Sequence, residues 1–155
     1  LSVKHAFLAY SLSVLSAALP AQQIPTEWEA KSRIASLTKT VEEIEAVLAK
    51  VDLERWKSAG AAEAYLTQYH EAKPQFGALR RNLAELASNP DRVGAALDVL
   101  LRFEAVDHYI HSLREASRKF DEAALADELD AKVGESFTVR DRFRNYVVEL
   151  ARDRD

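Results

Sequence analysis

Residues 26–51 read TEWEAKSRIASLTKTVEEIEAVLAKV, and the spacing of their apolar side chains decides the fold. Ile34, Leu37, Val41, Ile44, Leu48 and Val51 follow one another at steps of 3, 4, 3, 4 and 3. On a helix of 3.6 residues per turn such a row stays on one face, and it is buried only when other helices pack against it. A strand would need alternation, which is absent here. The start is also marked. Pro25 precedes Thr26, and Thr26 with Glu29 forms a capping box, with the hydroxyl serving the N3 amide and the N3 carboxylate reaching back to the N-cap amide. A first long helix is predicted over 26–51.

Further along the chain, Asp52 is placed to cap a short turn over Leu53–Lys57 that Gly60 ends. A second long helix is predicted from near Ala61 to 88, with Tyr65, Tyr69, Ala72, Phe76, Leu79, Leu83 and Leu86 as its seam. Pro74 inside it has no amide hydrogen to donate, which predicts a kink eased by Gly77. Asn89-Pro90-Asp91 reads as N-cap, N1 and first-turn acid of a third helix. That helix runs to about Lys119, with Val93, Leu97, Leu100, Phe103, Ile110, Leu113 and Phe120 apolar. Asp121 is predicted to cap a fourth helix, with stripe residues Leu125, Leu129, Val139, Phe143, Tyr146 and Leu150. This stripe turns polar at Lys132 and Ser136, predicting one long helix bent or briefly broken near Gly134. The short connections at 89 and 121 force antiparallel neighbours. The expected fold is all-α, an antiparallel up-down-up-down four-helix bundle over 22–155.

Composition agrees. Four glycines and four prolines in 155 residues are few, and 48% apolar content is enough for a core. A net charge of −4 with both signs mixed along the chain offers no basic footprint for nucleic acid. The absence of cysteine removes disulfides, thiolate metal sites, cysteine nucleophiles, covalent haem attachment and a lipoprotein anchor.

Residues 1–21, LSVKHAFLAYSLSVLSAALPA, have a different character. Lys4 is the only charge before Glu27, Ala6–Leu15 are mostly apolar, and small residues cluster over 16–21. This is the pattern of a cleavable signal peptide, cut after Ala21 or alternatively after Ala18. The apolar run of about 14 residues before Pro20 is short of the roughly 20 that span a bilayer. It is also apolar around its whole circumference, unlike a bundle helix. The expected product is periplasmic or secreted, with no stable membrane anchor after cleavage.

Helical bundles often hold metals or haem in their cores. No Glu-x-x-His pair is present, which excludes the usual carboxylate-bridged di-iron site, and the absence of methionine excludes Met/His haem ligation. The histidine cluster of the third helix is the candidate that remains. Glu104, His108, His111 and Glu115, spaced 4, 3 and 4, share one helical stripe. Two imidazoles flanked by carboxylates suit Zn²⁺, Cu²⁺ or Ni²⁺, with His70 of the second helix as a further ligand. The plainer account is a solvated face, because the stripe lies one residue beyond the seam. Trp56, Tyr65 and Tyr69 either line a pocket or plug a bundle end, with Trp28 at the far end of the first helix. Arg140 and Arg144 share a face and either hold an anion or belong to a mixed solvated surface. No serine sits in a nucleophile elbow, and there is no phosphate loop or dinucleotide fingerprint.

The stretches Glu54-Arg55-Trp56-Lys57-Ser58-Ala59-Gly60-Ala61-Ala62-Glu63-Ala64-Tyr65 and Arg140-Asp141-Arg142-Phe143-Arg144-Asn145-Tyr146-Val147-Val148-Glu149-Leu150, with Asn89-Pro90, resemble a family of uncharacterised exported bacterial helical proteins, as found among soil acidobacteria. The resemblance covers most of the chain beyond residue 21 and implies export and an all-helical fold. It carries no activity, cofactor or catalytic residue. The expectation is therefore a non-enzymatic binding or scaffolding bundle with a protein partner and no cofactor, self-associating as a homodimer if an apolar stripe is left over on its surface. The alternative is a periplasmic metal or haem carrier using the histidines of the second and third helices. Export is checked directly. Expressed with residues 1–21 in a bacterium, the protein recovered from the periplasm or medium should begin at Gln22, or at Leu19 for the earlier cut. N-terminal mass spectrometry that finds residues 1–21 retained would overturn this reading.

Overall fold

In a computed structural model, residues 26–121 and 123–154 are described. The expected signal peptide over 1–21 lies outside them. All their regular structure is helical: α1 (Glu27–Leu48), α2 (Leu53–Ser58), α3 (Glu63–Ser88), α4 (Val93–Phe120) and α5 (Ala123–Arg152). The all-α class holds, but there are five helices rather than four, because the short turn after Asp52 closes into a helix of its own. None of the described helices is long and apolar enough to cross a membrane.

Local chemistry accounts for the boundaries. The Thr26 side chain accepts the Glu29 amide at 3.3 Å, and the Glu29 carboxylate accepts the Thr26 amide at 2.7 Å. The Thr26 amide and, after it, the Thr26 hydroxyl at 3.0 Å donate to the Glu29 carboxylate and hold it below its ordinary range. Asp52 accepts the Glu54 and Arg55 amides at the start of α2. Gly60 ends α2 at φ +82°, while its amide and that of Ala61 donate to the Lys57 and Trp56 carbonyls. That paired arrangement needs a left-handed residue at this position, and glycine adopts it without a Cβ penalty.

Asn89 does not play its expected part. It is the C-cap of α3, and Arg92 occupies the N-cap of α4 without a side-chain cap bond. The Arg92 amide donates to the Asn89 carbonyl at 3.2 Å. Pro90 therefore sits at the second position of a turn, where its fixed φ serves as well as at a helix start. Residue 122, which precedes the first residue of α5, lies outside the described residues, while Asp121 takes the C-cap of α4. Two expected irregularities do not interrupt their helices. α3 is continuous through the exposed Pro74, and α5 runs unbroken through Gly134.

Bonds between helices set the directions. Arg33 at the start of α1 meets Glu149 at the end of α5 at 2.9 Å, and Lys50 beyond the end of α1 meets Glu128 near the start of α5. The Tyr69 hydroxyl near the start of α3 donates to the Leu48 carbonyl at the end of α1. Arg102 donates to Gln75 and Ser112 to Gln68, so α4 runs opposite to α3. Arg144 to Glu104 and Arg114 to Asp130 show the same for α4 and α5. The four long helices thus alternate in direction and close a ring, packed most extensively at α3–α4 and α1–α5 and least at α1–α3.

The core is one cluster drawing on all five helices. Its α4 seam differs from the expected one. The buried row is Ala96, Val99, Phe103, Val106, Ile110, Leu113 and Ser117, a strict alternation of threes and fours, while Leu97 is left 42% exposed. In α5 the row passes through Val133 and Ser136, with Arg140 half-buried in sequence with them. Small and polar seam members disguised the period.

At the end of the bundle where α3 meets α4, the buried Tyr146 donates its hydroxyl to the Pro90 carbonyl, and Arg154 donates to the Asp91 carbonyl at 2.7 Å. Burial, with the Asp91 charge adding to it, pushes the Tyr146 hydroxyl up to about 12, so it remains a neutral donor. Replacing it should leave a turn carbonyl unpaired. Tyr146→Phe is expected to cost about 1 kcal/mol in urea denaturation. Tyr109→Phe, whose hydroxyl makes no hydrogen bond among the described residues, should cost less than about 0.5 kcal/mol. Equal losses would remove the turn bond as the cause.

Candidate functional site

The thin α1–α3 contact leaves a groove of about 500 Å³. Its floor is apolar: Leu48 of α1, Tyr69, Ala72 and Phe76 of α3, and Leu113 from α4 across the core. Ala46 and Ala49 keep the α1 wall low, and Ala72 does the same where the neighbouring seam positions of α3 carry rings. The volume is in the range of ordinary ligand clefts.

The two walls carry opposite charge. Glu42 and Glu45 line the α1 side, Lys73 and Arg80 the α3 side. Arg80 Nη1 lies 3.0 Å from Glu45 Oε2 and bridges the walls. That oxygen is otherwise without a hydrogen bond among the described residues. Lys73 holds its ammonium 5.2 Å from the centre of the Tyr69 ring, and neither Lys73 nor Glu42 has an ion pair among the described residues. Burial pushes the Glu45 carboxyl above its ordinary range. Arg80 opposes this and Glu42 adds to it. The Tyr69 hydroxyl is raised by burial too and is spent on the Leu48 carbonyl.

Glu104, His108, His111 and Glu115 all lie exposed on the outer face of α4, and His70 is exposed on α3. Glu104 is engaged by Arg144 at 3.2 Å and Glu115 by Lys119 at 2.6 Å. The Lys119 hydrogen bond, ahead of the Lys119 charge and a small His111 contribution, holds the Glu115 carboxyl below its ordinary range. Among the described residues, no three His, Asp or Glu side chains are gathered so that they could hold a metal ion.

Arg140 and Arg144 each meet an α4 carboxylate, Asp107 at 3.3 Å and Glu104 at 3.2 Å. Arg140 also lies over the Phe137 ring. Near the start of α5, Asp130 accepts from both Arg114 and Arg118. Burial alone would raise its carboxyl, but the two arginines outweigh it and hold the group below the ordinary range. These arginines close the α4–α5 seam.

The aromatic residues plug one end of the bundle. Trp56 is fully buried, packed edge-on against Tyr69 and tilted against Phe120, while Tyr65 meets Phe120. Arg55 Nε ties α2 to the Phe120 carbonyl at 3.1 Å. Trp28 is 77% exposed at the other end. On α4, Leu97, Leu101 and Ala105 form an exposed apolar row too narrow to supply the roughly 800 Å² per partner of a standard interface by itself.

The groove was not singled out from the sequence. Its signal was there, in the small residues at 46, 49 and 72 and the acid and base rows beside them. Only the pairing and register of α1 with α3 bring these together. The chain matches no family model, no curated protein and no solved structure.

The raised Glu45 carboxyl fixes a pH dependence. A carboxyl raised on folding contributes stability that is fully present below its unfolded value and is lost as pH rises through the folded value. At pH 7 the ionised Glu45 is therefore a burden that Gln would relieve. Glu45→Gln should be as stable as the parent or more so at pH 7 in urea, and the difference should close near pH 4. A loss at pH 7 that grows with pH would mean that the Arg80 pair outweighs burial.

Proposed function

We propose that the protein is an exported, non-catalytic binding protein that holds the apolar part of its partner in the α1–α3 groove. The observation that carries this is the apolar floor between Leu48 and Phe76, which reaches the core residue Leu113 yet remains open to the surface. The hollow at the other end of the bundle, around Asn89–Asp91 and Tyr146, is predominantly polar and already occupied by the bonds to the turn. The Lys4-to-Ala21 pattern supports export.

The neutral apolar dye N-phenyl-1-naphthylamine tests the site. It should bind saturably, one per chain, with enhanced fluorescence. Ala46→Trp, at an exposed position on the groove wall, should weaken binding at least tenfold, whereas Leu101→Ser on the α4 row and Trp28→Ala should leave it unchanged. Absence of saturable binding, or binding indifferent to Ala46→Trp, would reject the groove.

A further inference from the structure

Neither wall of the groove is neutral, and the two are opposite in sign. A partner that fills only the apolar floor would leave Glu42 and Lys73, neither of which has an ion pair among the described residues, without a counter-charge in a partly desolvated setting. A single-headed amphiphile answers one wall and is repelled by the other. A helix answers both, because it presents an apolar stripe with separate flanks on either side. The lined stretch of α3 runs from Tyr69 to Arg80, about 16 Å at 1.5 Å per residue. A helix of about three turns matches it.

We propose that the occupant of the groove is an amphipathic helix of a partner protein that opens the Arg80–Glu45 pair spanning the groove, with basic side chains on the flank facing Glu42 and the released Glu45 and acidic ones on the flank facing Lys73 and the released Arg80. This rests on the groove being the binding site. Two sources within this chain lack the charge pattern. Residues 1–25 contain Lys4 but no acid for the α3 wall. The exposed α4 row in a second copy is bordered by Asp98 and Glu104, while its Arg102 is held by Gln75. Opposite walls also orient the occupant, since turning the helix end for end exchanges its flanks.

Three fluorescent peptides of about 16 residues, each held helical by a hydrocarbon staple away from the apolar stripe because helices of this length are marginal in water, test this by anisotropy at low salt. They share one Leu/Ala stripe and differ in their flanks, which are split Lys and Glu, all Lys, or all Glu. The split peptide should bind about tenfold tighter than either single-sign peptide, and salt should narrow the gap. Glu42→Lys combined with Glu45→Lys should move the preference to the all-Glu peptide. The exposed Glu42→Lys alone should shift it part of the way if the double variant does not fold. Ala46→Trp should abolish binding of all three. Equal affinities that Ala46→Trp removes, or binding of the dye without any peptide, overturn the helix assignment while the groove stands. Self-association in sedimentation that Ala46→Trp abolishes overturns it in favour of a second copy. Failure of dye and peptides alike rejects the groove itself.

Discussion

Each long helix has one apolar face, and that face is buried only if the other helices are present. The alternation of threes and fours along α1 cannot be satisfied by α1 alone, and neither can the matching rows on α3, α4 and α5. Burying a Leu, Ile or Phe contributes roughly 1.5–3 kcal/mol, while ordering a residue costs a comparable amount. The ring of four rows therefore stands or falls together. Leu113 shows this most directly, because it belongs to α4 and still floors the groove between α1 and α3.

Departures from that pattern give the molecule its asymmetry. Ser117, Ser136 and Arg140 put polar groups into rows that are otherwise apolar. The α4–α5 contact is consequently supplemented by arginines reaching Asp107, Asp130 and Glu104. At the α1–α3 contact the substitution is of another kind, small for large. Alanines at 46, 49 and 72 leave space that no side chain fills, and α2 with Trp56 closes the bundle beside that space without entering it. One Arg–Glu bridge spans the opening. A bundle can hold an unfilled groove in this place because the α3–α4 and α1–α5 contacts carry the larger share of packing.

Some elements were legible from single residues. The Thr26 capping box, the Asp52 cap and the Gly60 terminator depend on chemistry within a few residues, so sequence and structure agree on them. The Trp56 plug was foreseeable because a large ring beside a short connection has few places to go. Asn89 and Leu97 were misread for a common reason. Each has a local role that its neighbours permit, but the turn at Pro90 and the register of α4 against α3 assign another. The brief break that Gly134 suggested does not occur, since α5 is continuous there, and Pro74 sits inside an unbroken α3 as its flanking apolar row required.

By itself the sequence determined the class, the approximate extents of the long helices and their alternation in direction, since periodicity, caps and short connections act within a turn or two of the chain. Only the tertiary structure decided which side chains share a space. It placed Glu104, His108, His111 and Glu115 on an outer face, with the two carboxylates each beside a cation. It also put Glu42 and Glu45 opposite Lys73 and Arg80 across an apolar floor. The physical reason is register. Two helices can slide or rotate past one another without altering any local preference, and the fit of the whole core selects among those arrangements.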